Sequence, residues 1–197
     1  MKPVVASWMR CRHEEQDNNK TTIQHGDYPM NLLASLAQEV LSENGYRCVR
    51  KEDDGSLHSQ IRLNGGLYGL VLETDSDPQQ VTVFLYLPEI VPAAKRFAIM
   101  EYFTRINNEL PMGHFEIDLD DGRTRFVSGQ LLENNNLPAK LLLVLMRNAL
   151  DRVETFFPGL MRILHGGLHA AAALAEIEER HGYAGRHVGR YVSQRLN

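Results

Sequence analysis

The residues able to do chemistry in this chain are few, and the densest group is histidine. His165, His169, His181 and His187 lie in one stretch, with Glu176, Glu178 and Glu179 nearby. His165 and His169 stand four apart, the spacing that puts two imidazoles on one helical face and can hold a transition metal. Gly166-Gly167 falls between them and argues against a continuous helix, and no cysteine completes a ligand set. The expectation is solvent-exposed histidines and no bound metal. Asp118-Leu119-Asp120-Asp121-Gly122 resembles the opening of a calcium loop but lacks the later ligands and the closing glutamate. Glu52-Asp53-Asp54 reads as a solvated turn. Cys11 and Cys48 lie far apart and neither carries the local signature of an activated nucleophile, so no disulfide framework is expected.

No G-x-S-x-G elbow, C-x-x-C, H-E-x-x-H, G-x-G-x-x-G or P-loop lysine occurs. The sequence therefore predicts a non-enzymatic protein without catalytic residues or cofactor. Two competing readings remain: a ligand or metal sensor using the C-terminal histidines, and an enzyme whose site assembles from distant residues. The net charge of -4 gives no bulk attraction to nucleic acid or anionic membrane. Gly182 to Asn197 carries three arginines and no acid, a weak footprint for either partner. No apolar run approaches the roughly 18 residues of a spanning helix. Val4-Val5-Ala6-Ser7-Trp8-Met9 is too short for a signal-peptide core and is cut off by Arg10 and Arg12. A soluble cytoplasmic protein is the expectation.

The elements that must position any site can be read from periodicity. Residues 1–28 form a polar leader, read as mobile. A helix of about four turns follows from Pro29, with Leu33, Leu36, Ala37, Val40 and Leu41 on one face and Asn44-Gly45 as its stop. Tyr46 to Lys51 reads as a short strand. The next hairpin turns at Asn64-Gly65, opposing Ile61 to Tyr68, Ser59 to Leu70 and Leu57 to Leu72 on the core side. After a turn at Asp75 to Pro78, Val81 to Leu87 is apolar on both faces, the mark of a strand covered on both sides. Pro92 opens a helix whose stripe is Ile99, Phe103, Ile106 and Leu110, with Tyr102 and Met100 at its margins.

His114 to Asp120 alternates strictly before Asp121-Gly122, predicting a hairpin with those two residues as a type I′ loop. That register pairs Asp118 with Arg125 and Ile117 with Phe126. Pro138 opens the last major helix, which Pro158 is expected to end or kink, followed by a short apolar turn at Leu160 to Leu164. An Ala-rich helix, Leu168 to Arg180, completes the pattern. The prediction is an α+β domain over 29–167: a mainly antiparallel sheet of five or six strands, helices on one face, in the order α-β-β-β(-β)-α-β-β-α. A helical extension with a basic tail occupies 168–197.

Arg96-Phe97-Ala98, Ile106-Asn107-Asn108-Glu109-Leu110, Gly113-His114-Phe115-Glu116-Ile117 and Phe157-Pro158-Gly159-Leu160 carry a resemblance to the YbjN-like family. It covers about residues 30–167. Members are labelled bacterial sensory transduction regulators and share the fold of type III secretion chaperones. The resemblance implies a small α+β module that often dimerises and binds other proteins, with no active site to transfer. The expected function is a chaperone-like or regulatory module that binds an unidentified partner protein as a homodimer. Leu67, Val71, Phe84 and Tyr86, opposite the core sets of their strands, and Leu141 and Val144, in the apolar run Leu141 to Met146, are the candidate interface residues.

Overall fold

The helical stripes and alternating strands assemble, in the computed structural model of the chain, into one sheet backed by helices; the structure describes residues 32–134 and 136–181. The polar leader, the Pro29 helix start and the basic tail lie outside the described residues. Helix α1, Leu32–Glu43, buries Leu33, Ala34, Ala37 and Leu41. Strand β1, Val49–Arg50, is shorter than Tyr46 to Lys51 because the ladder stops early. Upstream of it, the Arg47 carbonyl accepts from the Ser59 hydroxyl at 2.7 Å.

Strands β2 (Leu57–Leu63), β3 (Gly66–Ser76) and β4 (Gln79–Tyr86) form a meander. The β2–β3 register is the predicted one, Ile61 opposite Tyr68, Ser59 opposite Leu70 and Leu57 opposite Leu72. After a 3-10 turn at Ala93–Lys95 comes α2, Arg96–Asn107, then β5 (His114–Ile117) and β6 (Thr124–Leu131). The six strands lie in the order β1-β2-β3-β4-β6-β5, with every neighbouring pair antiparallel. Leu57, Tyr68, Leu70, Leu72, Val81, Val83, Leu85, Phe115 and Phe126 point to the helical side and are buried. The fold is the α+β architecture expected, with its helices on one face.

The β5–β6 hairpin departs from the prediction. Ile117 opposes Thr124, Glu116 opposes Arg125 and Phe115 opposes Phe126, a register two residues away from the expected one. Its loop is wider than Asp121-Gly122. The Asp118 carboxylate accepts from the amides of Asp120 (2.7 Å) and Asp121 (3.2 Å), and the Asp118 carbonyl accepts from Gly122 N (2.8 Å). Arg96 then donates to the carbonyls of Leu119 (2.7 Å) and Asp120 (2.9 Å), and Val91 N donates to Gly122 O (2.8 Å). An aspartate that caps its own turn, held by an arginine fork from a helix, outweighs the two-residue loop.

Helix α3, Ala139–Leu164, continues past Pro158. The expected end at Pro158 and the separate turn at Leu160 to Leu164 are therefore replaced by one helix. A proline in a helix interior costs about 3 kcal/mol. The turns around it bury Phe156, Phe157, Leu160 and Ile163, each contributing roughly 1.5–3 kcal/mol. Gly159 allows the close approach of α2: a Cβ there would run into the Tyr102 hydroxyl. That hydroxyl donates to the Phe156 carbonyl at 2.9 Å, which is why Tyr102 is fully buried and not marginal.

Helix α4, Ala170–His181, packs on α2 and α3 and places Ala170, Ala173 and Ile177 in the common core. Arg162 grips Glu176 through Nε (3.1 Å) and Nη2 (3.2 Å), tying α3 to α4.

Candidate interaction surface on the open face of the sheet

Because side chains alternate along a strand, the register decides what the second face of the sheet presents. It aligns Val49, His58, Val71, Phe84, Val127 and His114 in one row across all six strands. The adjacent row reads Gln60, Gly69, Tyr86, Arg125 and Glu116. Leu67 stands further along, opposite Arg62, and is 39% exposed. Val71, Phe84 and Tyr86 are half-buried. The structure thus places Leu67, Val71, Phe84 and Tyr86 on one side, away from the helices.

The face carries an ionic cluster on its β4-β6-β5 side, toward the β5 edge. Arg125 donates through Nε to Glu116 Oε2 at 2.6 Å and through Nη1 to the Tyr86 hydroxyl at 3.1 Å. Its guanidinium lies over the Phe84 ring, 4.7 Å from the centroid. The pairing expected between Arg125 and Asp118 is absent, because the register shift brings Glu116 opposite the arginine and leaves Asp118 to its turn. His114 Nε2 meets Glu116 Oε1 at 2.9 Å. An expected apolar patch is therefore an amphipathic one, aromatic rings flanking a paired cation.

Partial burial raises the Glu116 pKa, but the hydrogen bonds and charges of Arg125 and His114 outweigh it and hold the carboxyl below its ordinary value. A depressed carboxylate contributes stability above its unfolded pKa, about 4.3, that is lost as the pH falls through the lowered folded value. Urea midpoints of wild type should therefore fall more steeply on acidification below about pH 4.3 than those of Glu116→Gln. Parallel profiles would show that the cluster contributes nothing to folding.

The remaining candidates lie elsewhere. Leu141 is half-buried and packs on the core, whereas Val144, 45% exposed, stands on the outer surface of α3 beside exposed Lys140 and Arg147. His165 caps the C-terminal end of α3 and His169 precedes α4, so the two share no helix. Among the described residues no group of three His, Cys, Asp or Glu side chains is placed to hold a metal. Burial pushes the Cys48 thiol up, more than its hydrogen bond to Ser59 lowers it, away from the reactive thiolate.

Two features escaped the sequence. Asp54 Oδ1 accepts from the Ser56 hydroxyl (2.5 Å), and that hydroxyl also meets His58 Nε2 at 2.8 Å. The residue types suggest a hydrolytic triad, but the order is wrong. The serine sits between acid and imidazole, is 3% exposed, and spends its proton on Asp54. The group shapes the β1–β2 turn. Second, Phe97 (71% exposed) and Met100 (38%) project from the outer side of α2, opposite the buried Ile99, Phe103 and Ile106. Only the narrowness of the apolar stripe could have signalled this.

No helix among the described residues is long and apolar enough to cross a membrane. A family model, YbjN, described as "Putative bacterial sensory transduction regulator", matches residues 37–162, a span from α1 through the whole sheet and most of α3. No curated protein matches the chain. Among solved structures, the crystal structure of the ExsC-ExsE complex is similar at 16% identity and TM-score 0.47, over 66% of this chain and 92% of that one. The crystal structure of YbjN, "a putative transcription regulator from E. coli", is similar at 7% identity and TM-score 0.46, over 61% of this chain and 84% of that one. With the family model matching well over half of its length, this chain belongs to the YbjN family.

Proposed function

We propose that this protein is a non-enzymatic, cytoplasmic regulator of the chaperone-like kind, which binds a segment of a partner protein on the open face of its sheet and works as a homodimer. The observation that carries this reading is the one-sidedness of the fold. Every described helix packs on one face, and the other presents Val49, Val71 and Phe84 beside Tyr86 and Arg125. Tyrosine and arginine, set among residues that exclude water, are the types that dominate binding energy at protein interfaces. The family's regulator description agrees with such a role. For the homodimer, the outer side of α2 with Phe97 and Met100 offers exposed apolar area separate from the sheet face, whereas Val144 stands among charges.

Immobilised wild type, Phe84→Glu, Phe97→Glu and Val144→Glu, compared by quantitative mass spectrometry of proteins retained from a bacterial lysate, test this. A partner held by wild type and Val144→Glu, and weakened at least about tenfold by Phe84→Glu, is the expected result. Equal retention by Phe84→Glu removes the sheet face. Light scattering at micromolar concentration should give a dimer for wild type, Phe84→Glu and Val144→Glu and a monomer for Phe97→Glu. A strictly monomeric wild type removes the dimer.

A further inference from the structure

One position inside the open face carries no side chain, and the fold itself does not require that absence. Gly69 lies within β3, in the row Gln60, Gly69, Tyr86, Arg125 and Glu116. A glycine in a strand interior weakens the strand, and it marks a bulge, a bend or a place where another group approaches closely. The ladder runs through Gly69 without a bulge, with Gln60 on one side and Tyr86 on the other. Its φ lies outside the left-handed region. A Cβ at this position would find only Tyr86 Cβ within reach, at 3.6 Å, an ordinary contact. Gly122 and Gly159 are needed by the chain's own packing, whereas at Gly69 the space belongs to something outside the chain.

The missing side chain leaves a notch one strand wide. Gln60 and Tyr86 stand roughly 9.6 Å apart across it, and Leu67 and Val71 lie about 7 Å to either side along β3. Tyr86 is tied away from the notch, because its hydroxyl accepts from Arg125 Nη1 on β6 at 3.1 Å, on the side remote from β3. At the rim, Arg62 opposes Leu67, which is 39% exposed. Arg62 is exposed too, and no acid pairs with it among the described residues. Arg125, by contrast, is already paired with Glu116. Toward the other end of the same strands the face turns acidic, with Glu73 opposite Thr82 and Asp75 opposite Gln80.

We propose that the Gly69 notch is the specificity pocket of the open face: it takes an aromatic side chain of the partner segment, and an acidic residue within two positions of that ring meets Arg62. This rests on the reading of the open sheet face as the partner surface and names the chemistry the partner must carry. A ring laid on bare backbone between Tyr86 and Leu67 buries a large apolar area and meets the Tyr86 ring in offset or edge-on geometry. The partner's acid is attracted at Arg62 and repelled at Glu73 and Asp75. Charge therefore fixes which way round the segment lies as well as which segment fits.

Random twelve-residue peptides displayed on phage and selected on immobilised full-length protein supply the probe. Enriched peptides, synthesised with a fluorescent label, give affinities by polarisation. The expected result is an aromatic residue with Asp or Glu within two positions of it, and binding weakened at least about tenfold by Gly69→Val and by Arg62→Glu. Replacing the peptide's acid with lysine should restore binding to Arg62→Glu, a rescue that a merely structural role for Arg62 would not give. Arg62 is exposed, so this arm stands even where Gly69→Val folds poorly. Gly69→Ala should keep or raise the urea midpoint, because its Cβ has room and a strand gains from a side chain. Enrichment without the aromatic and acidic pair, affinities untouched by both substitutions, or a lowered Gly69→Ala midpoint each overturns the proposal. Phe84→Glu separates the two readings. Peptides lost with Phe84→Glu but held by Gly69→Val and Arg62→Glu overturn the notch and leave the open face standing. Peptides held by all three variants remove the open face as well.

Discussion

Gly122→Val should lower the unfolding free energy by about 3 kcal/mol or more, read as a shift of the urea midpoint at unchanged slope. Two costs add. Gly122 lies at φ +80, in the left-handed region where an L-residue is penalised by roughly 1–2 kcal/mol and a β-branched one most of all. A Cβ at this position would also run into the Val91 carbonyl oxygen, with the Val91 carbonyl carbon at 3.0 Å and Arg96 Nε at 3.1 Å. Those atoms belong to the contacts that hold the loop, Val91 N to Gly122 O and Arg96 Nε to Val91 O at 3.3 Å. Relief by local movement therefore breaks hydrogen bonds elsewhere. Against a total stability of about 5–15 kcal/mol for a domain of this size, the loss is large. Gly122→Ala incurs both costs and drops only the β-branch, so the difference between the two variants isolates that increment. A midpoint for Gly122→Val within error of wild type would mean that the loop does not rest on Val91.

Phe115→Ala is the second large effect, about 3–5 kcal/mol. Phe115 is the hub of an aromatic cluster that joins three elements. It stacks on Phe103 of α2 at 5.0 Å between centroids and meets Phe126 of β6 edge-on at 4.9 Å and Phe156 of α3 at 6.0 Å. Its backbone is fixed as well: the Asn107 carboxamide accepts from Phe115 N at 2.7 Å and donates to Phe115 O at 2.9 Å, closing the outer edge of β5. Truncation to alanine leaves a cavity whose walls belong to three separately anchored elements, so little collapse can offset it. The same experiment tests the register. With Asp121-Gly122 as a two-residue loop, Ile117 would oppose Phe126 and Ile117→Ala would cost more than Phe115→Ala. The observed pairing demands the reverse, since Ile117 is only half-buried.

The two hairpins show how far local pattern reaches. In β2–β3 the Asn64-Gly65 loop and the alternation agree, and the pairing follows residue by residue. In β5–β6 the alternation is equally strict, but a shift of two residues leaves every side chain on its own face. Period two cannot tell Ile117 opposite Phe126 from Phe115 opposite Phe126. The decision falls to Arg96, which reaches forward more than twenty residues to Leu119 and Asp120, and to Val91. With that shift the partner of Arg125 changes from Asp118 to Glu116, so the ion pair of the open face is made to the edge strand β5.

Burial on the helices followed the same rule. Tyr102 reads as marginal on its own wheel, and is core because Gly159 lets its hydroxyl reach Phe156 and because α4 covers that side of α2. Pro158 reads as an end or a kink by the local rule, and burial of the turns around it excludes the end, carrying α3 to Leu164.

From sequence alone came the element order, the side of each strand that faces the core, and the one-sided placement of the helices. These depend on periods of 3.6 and 2 that covalent geometry imposes on any chain. Register at the second hairpin, the continuity of α3 and the chemistry of the open face came only with the tertiary structure. Each is settled by side chains distant in sequence, whose meeting leaves no local trace.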